Sequence, residues 1–159
     1  MSTKIYSVLL SAISIAAISC NNNQTANNMP SAANVFSKLD YDKVIAYDYN
    51  GEGDIEIIDE KTKHLASKIR KQKILNKTQI LKITNDLCDG SSYGGDVAAC
   101  FDPHLGIVFF KKDIPIAYVS ICLDCNYLVS SIKIPKSDNG FSDKGVKRII
   151  DFEKEIGVK

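Results

Sequence analysis

The chain predicts an α+β fold, a small antiparallel sheet with two helices packed on it. Three observations lead there. The patterned segments run strands, helix, strands, helix, the order of an α+β domain rather than an alternating one. Short turn signals separate consecutive strand segments. Two later stretches carry apolar residues at helical spacing behind good capping residues.

The elements follow in order. Val44–Tyr49 alternates and is rich in β-branched and aromatic residues, so it reads as a strand. Asn50-Gly51-Glu52-Gly53 reads as a turn and Ile55–Ile58 as the returning strand. Lys61–Lys77 carries six lysines and Arg70, which suits an exposed, partly extended connection. Asn76 or Thr78 caps a helix to about Leu87, with Ile80, Ile83 and Leu87 facing the core. Asp89–Gly95 is a loop rich in residues that tolerate unusual backbone angles. Gly106–Phe110 is a buried strand, Lys111–Asp113 a turn, and Ile116–Cys122 the return, with Pro115 confined to its start. Leu128–Ile134 offers a further strand. Ser142 caps a last helix with Val146, Ile149, Ile150 and Ile156 on one side.

The N-terminal segment is of another kind. Lys4 is the only charged residue before Cys20, and Ile5–Ile18 is uncharged and mostly apolar. A positive start followed by a short apolar run is the pattern of a secretory signal. A bilayer span wants about 20 apolar residues, so the run is short for a permanent helix. Ala17-Ile18-Ser19-Cys20 resembles the lipobox of bacterial lipoproteins. The resemblance implies removal of residues 1–19 and lipidation of Cys20, with the protein held at the membrane of the cell envelope on its exported side. Two or three acyl chains hold firmly where one binds only marginally. Residues 20–36 are rich in Asn, Ala and Ser and suit a flexible tether. A single globular domain then spans 37–159.

Without residues 1–19, the remaining 140 residues carry 19 basic and 19 acidic side chains. A net charge of zero argues against nucleic acid as a partner. The lipid on Cys20 is the membrane attachment that the sequence offers.

Four cysteines remain beside Cys20: Cys88, Cys100, Cys122 and Cys125. An exported compartment permits disulfides, and an even count fits two bridges in any of three pairings. Fully extended, Cys122 and Cys125 would lie about 10 Å apart. A disulfide needs Cα atoms within about 7 Å, so a bond between these two requires a bend at Leu123-Asp124. The same region offers a metal reading. Cys100, His104, Cys122 and Cys125 supply three thiolates and one imidazole, a legitimate tetrahedral set for zinc or for copper. Plain buried thiols are the third reading. A thioredoxin-like site would place its first cysteine at a helix N-terminus, whereas this motif follows a strand pattern. Haem attachment needs His directly after the Cys-x-x-Cys, and Asn126 stands there.

Tyr93-Gly94-Gly95, Ala99–Phe109 and Ser120–Asn126, with the closing Phe141–Gly157 segment, resemble a group of small lipoproteins of Bacteroidetes-type bacteria. The resemblance implies a shared domain built around these cysteines, and no activity comes with it.

Asp48, Asn50, Glu52, Gly53 and Asp59 partly match a calcium loop, but strand-like flanks favour a hairpin turn. His64 sits among lysines and reads as a surface residue. No phosphate loop, dinucleotide fingerprint or nucleophile elbow appears. The functional expectation is therefore a lipid-anchored envelope protein, a binding or structural domain stabilised by its cysteines. A zinc- or copper-binding lipoprotein is the alternative. An enzyme is the third class, without an acid–base pair singled out.

Overall fold

A computed structural model describes residues 34–158. The expected signal segment, Cys20 and nearly all of the expected tether lie outside the described residues. In chain order the elements are β1 (Lys43–Tyr49), β2 (Ile69–Ile74), α1 (Lys77–Cys88), β3 (Tyr93–Gly95), β4 (Leu105–Lys111), β5 (Ile114–Cys122), β6 (Tyr127–Ser130), β7 (Gly140–Phe141) and α2 (Asp143–Ile156). Short 3-10 turns occupy Val35–Lys38 and Gly90–Ser92. The main sheet has five strands in the order β2-β1-β4-β5-β6, every neighbouring pair antiparallel. β3 and β7 form a separate two-stranded ribbon. The α+β class predicted from the order of elements is the class observed.

The helices form where their caps say they should. Asn76 accepts the Gln79 amide and Gln79 reaches back to the Asn76 amide, a reciprocal capping box. Ser142 accepts from the Gly145 amide, and Gly157 closes α2 in the left-handed conformation at φ 70°. Ile83 and Leu87 of α1 and Ile149, Phe152 and Ile156 of α2 are buried against the sheet. Ile80 and Ile150 are only half-buried.

The central strands are covered on both faces. Val44, Ala46, Leu105, Ile107, Phe109, Ala117, Val119 and Ile121 face the helices. Ile45, Tyr47, Tyr49, Val108, Phe110 and Tyr118 face the other way, and Ile57 and Ile58 pack on them. Residues 55–58 were expected to return as a strand beside β1. They do not, because both edges of β1 are already paired, with β2 and with β4. The segment lies over the sheet face instead, closed on itself by a bridge between Ile58 and Leu65.

Two small residues seat it. Gly106 and Ser120 are directly opposite on β4 and β5. A Cβ at Gly106 would lie 2.4 Å from Ile57 Cγ1, so only glycine leaves room for that side chain. The buried Ile57 amide donates to Ser120 Oγ at 2.9 Å. A serine in an otherwise apolar strand thus satisfies a backbone group that the sheet cannot.

Three further boundaries differ from expectation. Part of the lysine-rich connection is β2, an edge strand whose exposed, charged side chains discourage pairing with another chain. β6 ends at Ser130: the Ser131 amide still donates to the Tyr118 carbonyl, but the Tyr118 amide donates to Ser131 Oγ instead of to a backbone carbonyl, and Ser130 Oγ also donates to the Tyr118 carbonyl. Packing against the sheet also reaches back to Phe36. Phe36 is buried and stacks on Phe109 at 5.2 Å between ring centroids, and Asn34 caps the turn that places it.

Ser120→Ala strands the Ile57 amide without an acceptor. A destabilisation of about 1–3 kcal/mol is expected, read as a lower urea midpoint with unchanged slope. An unchanged midpoint would show that the segment over the second face is not held this way.

Candidate functional site

Three of the four domain cysteines meet at one end of the sheet. Cys122 is the last residue of β5, and the chain then turns through Leu123–Asn126 before β6. Asn126 takes a left-handed conformation at φ 54°, and its amide donates to the Leu123 carbonyl. This is the bend that a bond between the two cysteines requires. It brings their Cα atoms to 5.3 Å, and Cys122 and Cys125 are disulfide-bonded. The Asn126 side chain also donates to the carbonyls of Asp96 and Phe141, tying the turn to the loop before β4 and to β7.

Cys100 arrives from the other side. The loop before β4 is held to the turn by the Ala98 amide, which donates to the Cys125 carbonyl. Phe101 is buried edge-on to Tyr127, at 5.5 Å between ring centroids. Cys100 Sγ then lies 2.7 Å from Cys125 Sγ. Two amides point at the bridge: that of Asp102 at Cys125 Sγ, 3.4 Å away, and that of Cys125 at Cys122 Sγ, 3.1 Å away. Cys100 is exposed, whereas Cys122 and Cys125 are buried.

Cys88 takes no part. It sits at the end of α1, fully buried, with its sulfur 3.7 Å from Asn34 Oδ1. Burial pushes its thiol pKa up. The even count of four therefore resolves into one bridge, one thiol touching that bridge and one core thiol, rather than two bridges.

The proposed metal set divides as well. Its three sulfurs converge, but the His104 ring engages Glu153, with Nε2 and Oε1 3.4 Å apart. Among the described residues no group of three or more His, Cys, Asp or Glu side chains is arranged to hold a metal ion. The calcium-loop residues also have other work. Asp48 pairs with Arg70, Asn50 accepts the Glu52 amide, and Asp59 accepts the amides of Lys61 and Thr62. His64 is exposed, as expected of a surface residue.

Beside the sulfurs, on the helix-covered side, a polar cleft of about 420 Å³ opens between the ends of β1 and β2, the Asp102–His104 approach to β4, Asp124 and the C-terminal part of α2. Asp48 and Arg70 form an ion pair on one wall. Glu153 lies at the back, 2% exposed, with His104 in front of it. A carboxylate so deeply placed is costly unless partnered, and an imidazole within ion-pair reach supplies a partner. Asp102 and Asp124 line the same cleft and are chain neighbours of Phe101 and Cys125. The arrangement can hold a small polar molecule.

Sequence reading placed Cys100, Cys122, Cys125 and His104 in one region but missed Glu153, named Asp48 only for the calcium-loop match and took Arg70 only as part of an exposed basic connection. Glu153 left a signal. It stands four residues after Ile149 and three before Ile156, on the apolar face of α2, where an acid has no reason to be unless something meets it.

Comparison with protein-family models, with curated proteins and with solved structures returns no match. The site itself defines the class: an α+β domain with a disulfide-closed turn, a third thiol in contact with it, and a charged cleft alongside.

The two unbridged thiols among the described residues differ sharply in access. In the native full chain, iodoacetamide is expected to modify Cys100 within minutes and Cys88 only after denaturation, as peptide mass mapping would read. Equal labelling of both would contradict the packing around Cys88.

Proposed function

We propose that this is an exported, lipid-anchored protein of the bacterial cell envelope, attached to the membrane through Cys20, whose domain serves as a binding or structural module braced by cysteines. The observation that carries the reading is the Cys122–Cys125 bridge. Disulfides persist in oxidising compartments and are rare where thiols are kept reduced. That agrees with the lipobox-like Ala17–Cys20 segment and the short apolar run before it. Among the described residues no helix is long and apolar enough to cross a membrane, so the reading rests its anchorage on the lipid. The polar cleft is the seat for any small ligand. Its size is that of an ordinary ligand site, and its carboxylates favour a ligand with a cationic group.

The test is Cys20→Ser in a bacterial host. The wild-type chain should fractionate with membranes and incorporate labelled palmitate. The variant should lose the label and leave the membrane fraction. A variant that stays in the membrane as the wild type does would sink the reading.

The convergence of three sulfurs favours a second reading. Reduced, Cys100, Cys122 and Cys125 make a three-thiolate set suited to a soft cation such as copper(I), or to zinc with a further ligand. His104 would be a ligand only after leaving Glu153. Protein purified under reducing conditions should then carry close to one equivalent of metal by elemental analysis. Less than about a tenth of an equivalent removes this reading.

A further inference from the structure

Nothing in a purely structural disulfide calls for a third sulfur. A staple is complete with two, and an exposed thiol beside it is a liability, because thiolates attack disulfides. Here the exposed Cys100 Sγ is held 2.7 Å from Cys125 Sγ by a loop anchored on both sides of the contact. We propose that Cys100, Cys122 and Cys125 form a thiol–disulfide exchange centre, in which Cys100 passes the buried bridge to the surface and there reacts with small thiols. The inference does not depend on the lipid anchor.

The chemistry balances without an added oxidant. Cys100 loses its proton to solvent, and the thiolate attacks Cys125 Sγ, the sulfur it touches. The Cys100–Cys125 bond forms, the Cys125–Cys122 bond breaks, and the electron pair leaves on Cys122 Sγ. The Cys125 amide already points at that atom from 3.1 Å. A hydrogen bond favours the charged form, and a stabilised leaving thiolate departs faster. The reverse step restores the original bridge.

The exposed bridge is then open to a partner. A small thiolate attacks Cys100 Sγ, forms a mixed disulfide there and expels the Cys125 thiolate. A second small thiolate releases Cys100 and leaves as the symmetrical disulfide. The net result is two protein thiols at Cys122 and Cys125 and one oxidised partner pair. Run backwards, the same steps oxidise the protein. The Cys122–Cys125 bridge is buried, so Cys100 is the port through which the exchange runs.

The experiment uses the full chain in detergent, with the sulfurs followed by alkylation and mass mapping. Dithiothreitol should reduce the Cys122–Cys125 bridge at least tenfold more slowly in Cys100→Ser than in the wild type. Equal rates overturn the proposal. Cys122→Ser, treated with oxidised glutathione, should close a Cys100–Cys125 bond. Recovery of the two as separate thiols or separate glutathione adducts also overturns it. Should either variant fail to fold by circular dichroism, the wild type decides: acid quench from mildly alkaline solution should trap both linkages, and finding Cys122–Cys125 alone refutes the exchange.

Discussion

The three middle strands of the sheet are apolar on both faces, and the rest of the molecule is arranged to cover them. A half-buried antiparallel sheet alternates apolar and polar residues, but Leu105–Phe110 and Ala117–Ile121 are buried at every position. Two covers are therefore needed. The helices supply one, and the irregular segment over 50–68 supplies the other. A segment without regular structure brings unpaired backbone groups to an apolar face. Ser120 answers that for Ile57, and Gly106 lets the contact close.

The candidate site lies where both covers run out. At that end of the sheet the Asp102–His104 backbone is pinned from two sides. The His104 amide donates to Ile121, and the Gly51 amide donates to the Pro103 carbonyl. One stretch of chain therefore presents Cys100 to the bridge and His104 to Glu153. The sulfur cluster and the charged cleft share a wall, so a molecule in the cleft lies close to the chain that holds the exchange centre.

Cysteine counting in an exported chain presumes that thiols pair off. That presumption holds for scaffolds too small to build a core. This domain has a substantial core and can keep Cys88 as a buried apolar residue with a raised pKa. Removing Cys88 from the count leaves an odd set of three, and an odd set in contact is what makes exchange chemistry available.

Much was legible from local pattern alone. The caps at Asn76 and Ser142, the turn at Lys111–Asp113, the paired strands around it and the α+β class follow from propensity, spacing and turn chemistry, which act over a few residues. The bend needed between Cys122 and Cys125 is of the same local kind. What the sequence could not settle concerns competition between distant segments. Residues 55–58 have strand composition, yet β2 and β4 occupy both edges of β1, and an occupied edge accepts no third strand. Nothing within ten residues of Cys125 announces that Cys100 will touch it, nor that His104 will turn to an acid 49 positions later. Those choices are made by packing, because only the closed fold determines which side chains share the same end of the sheet.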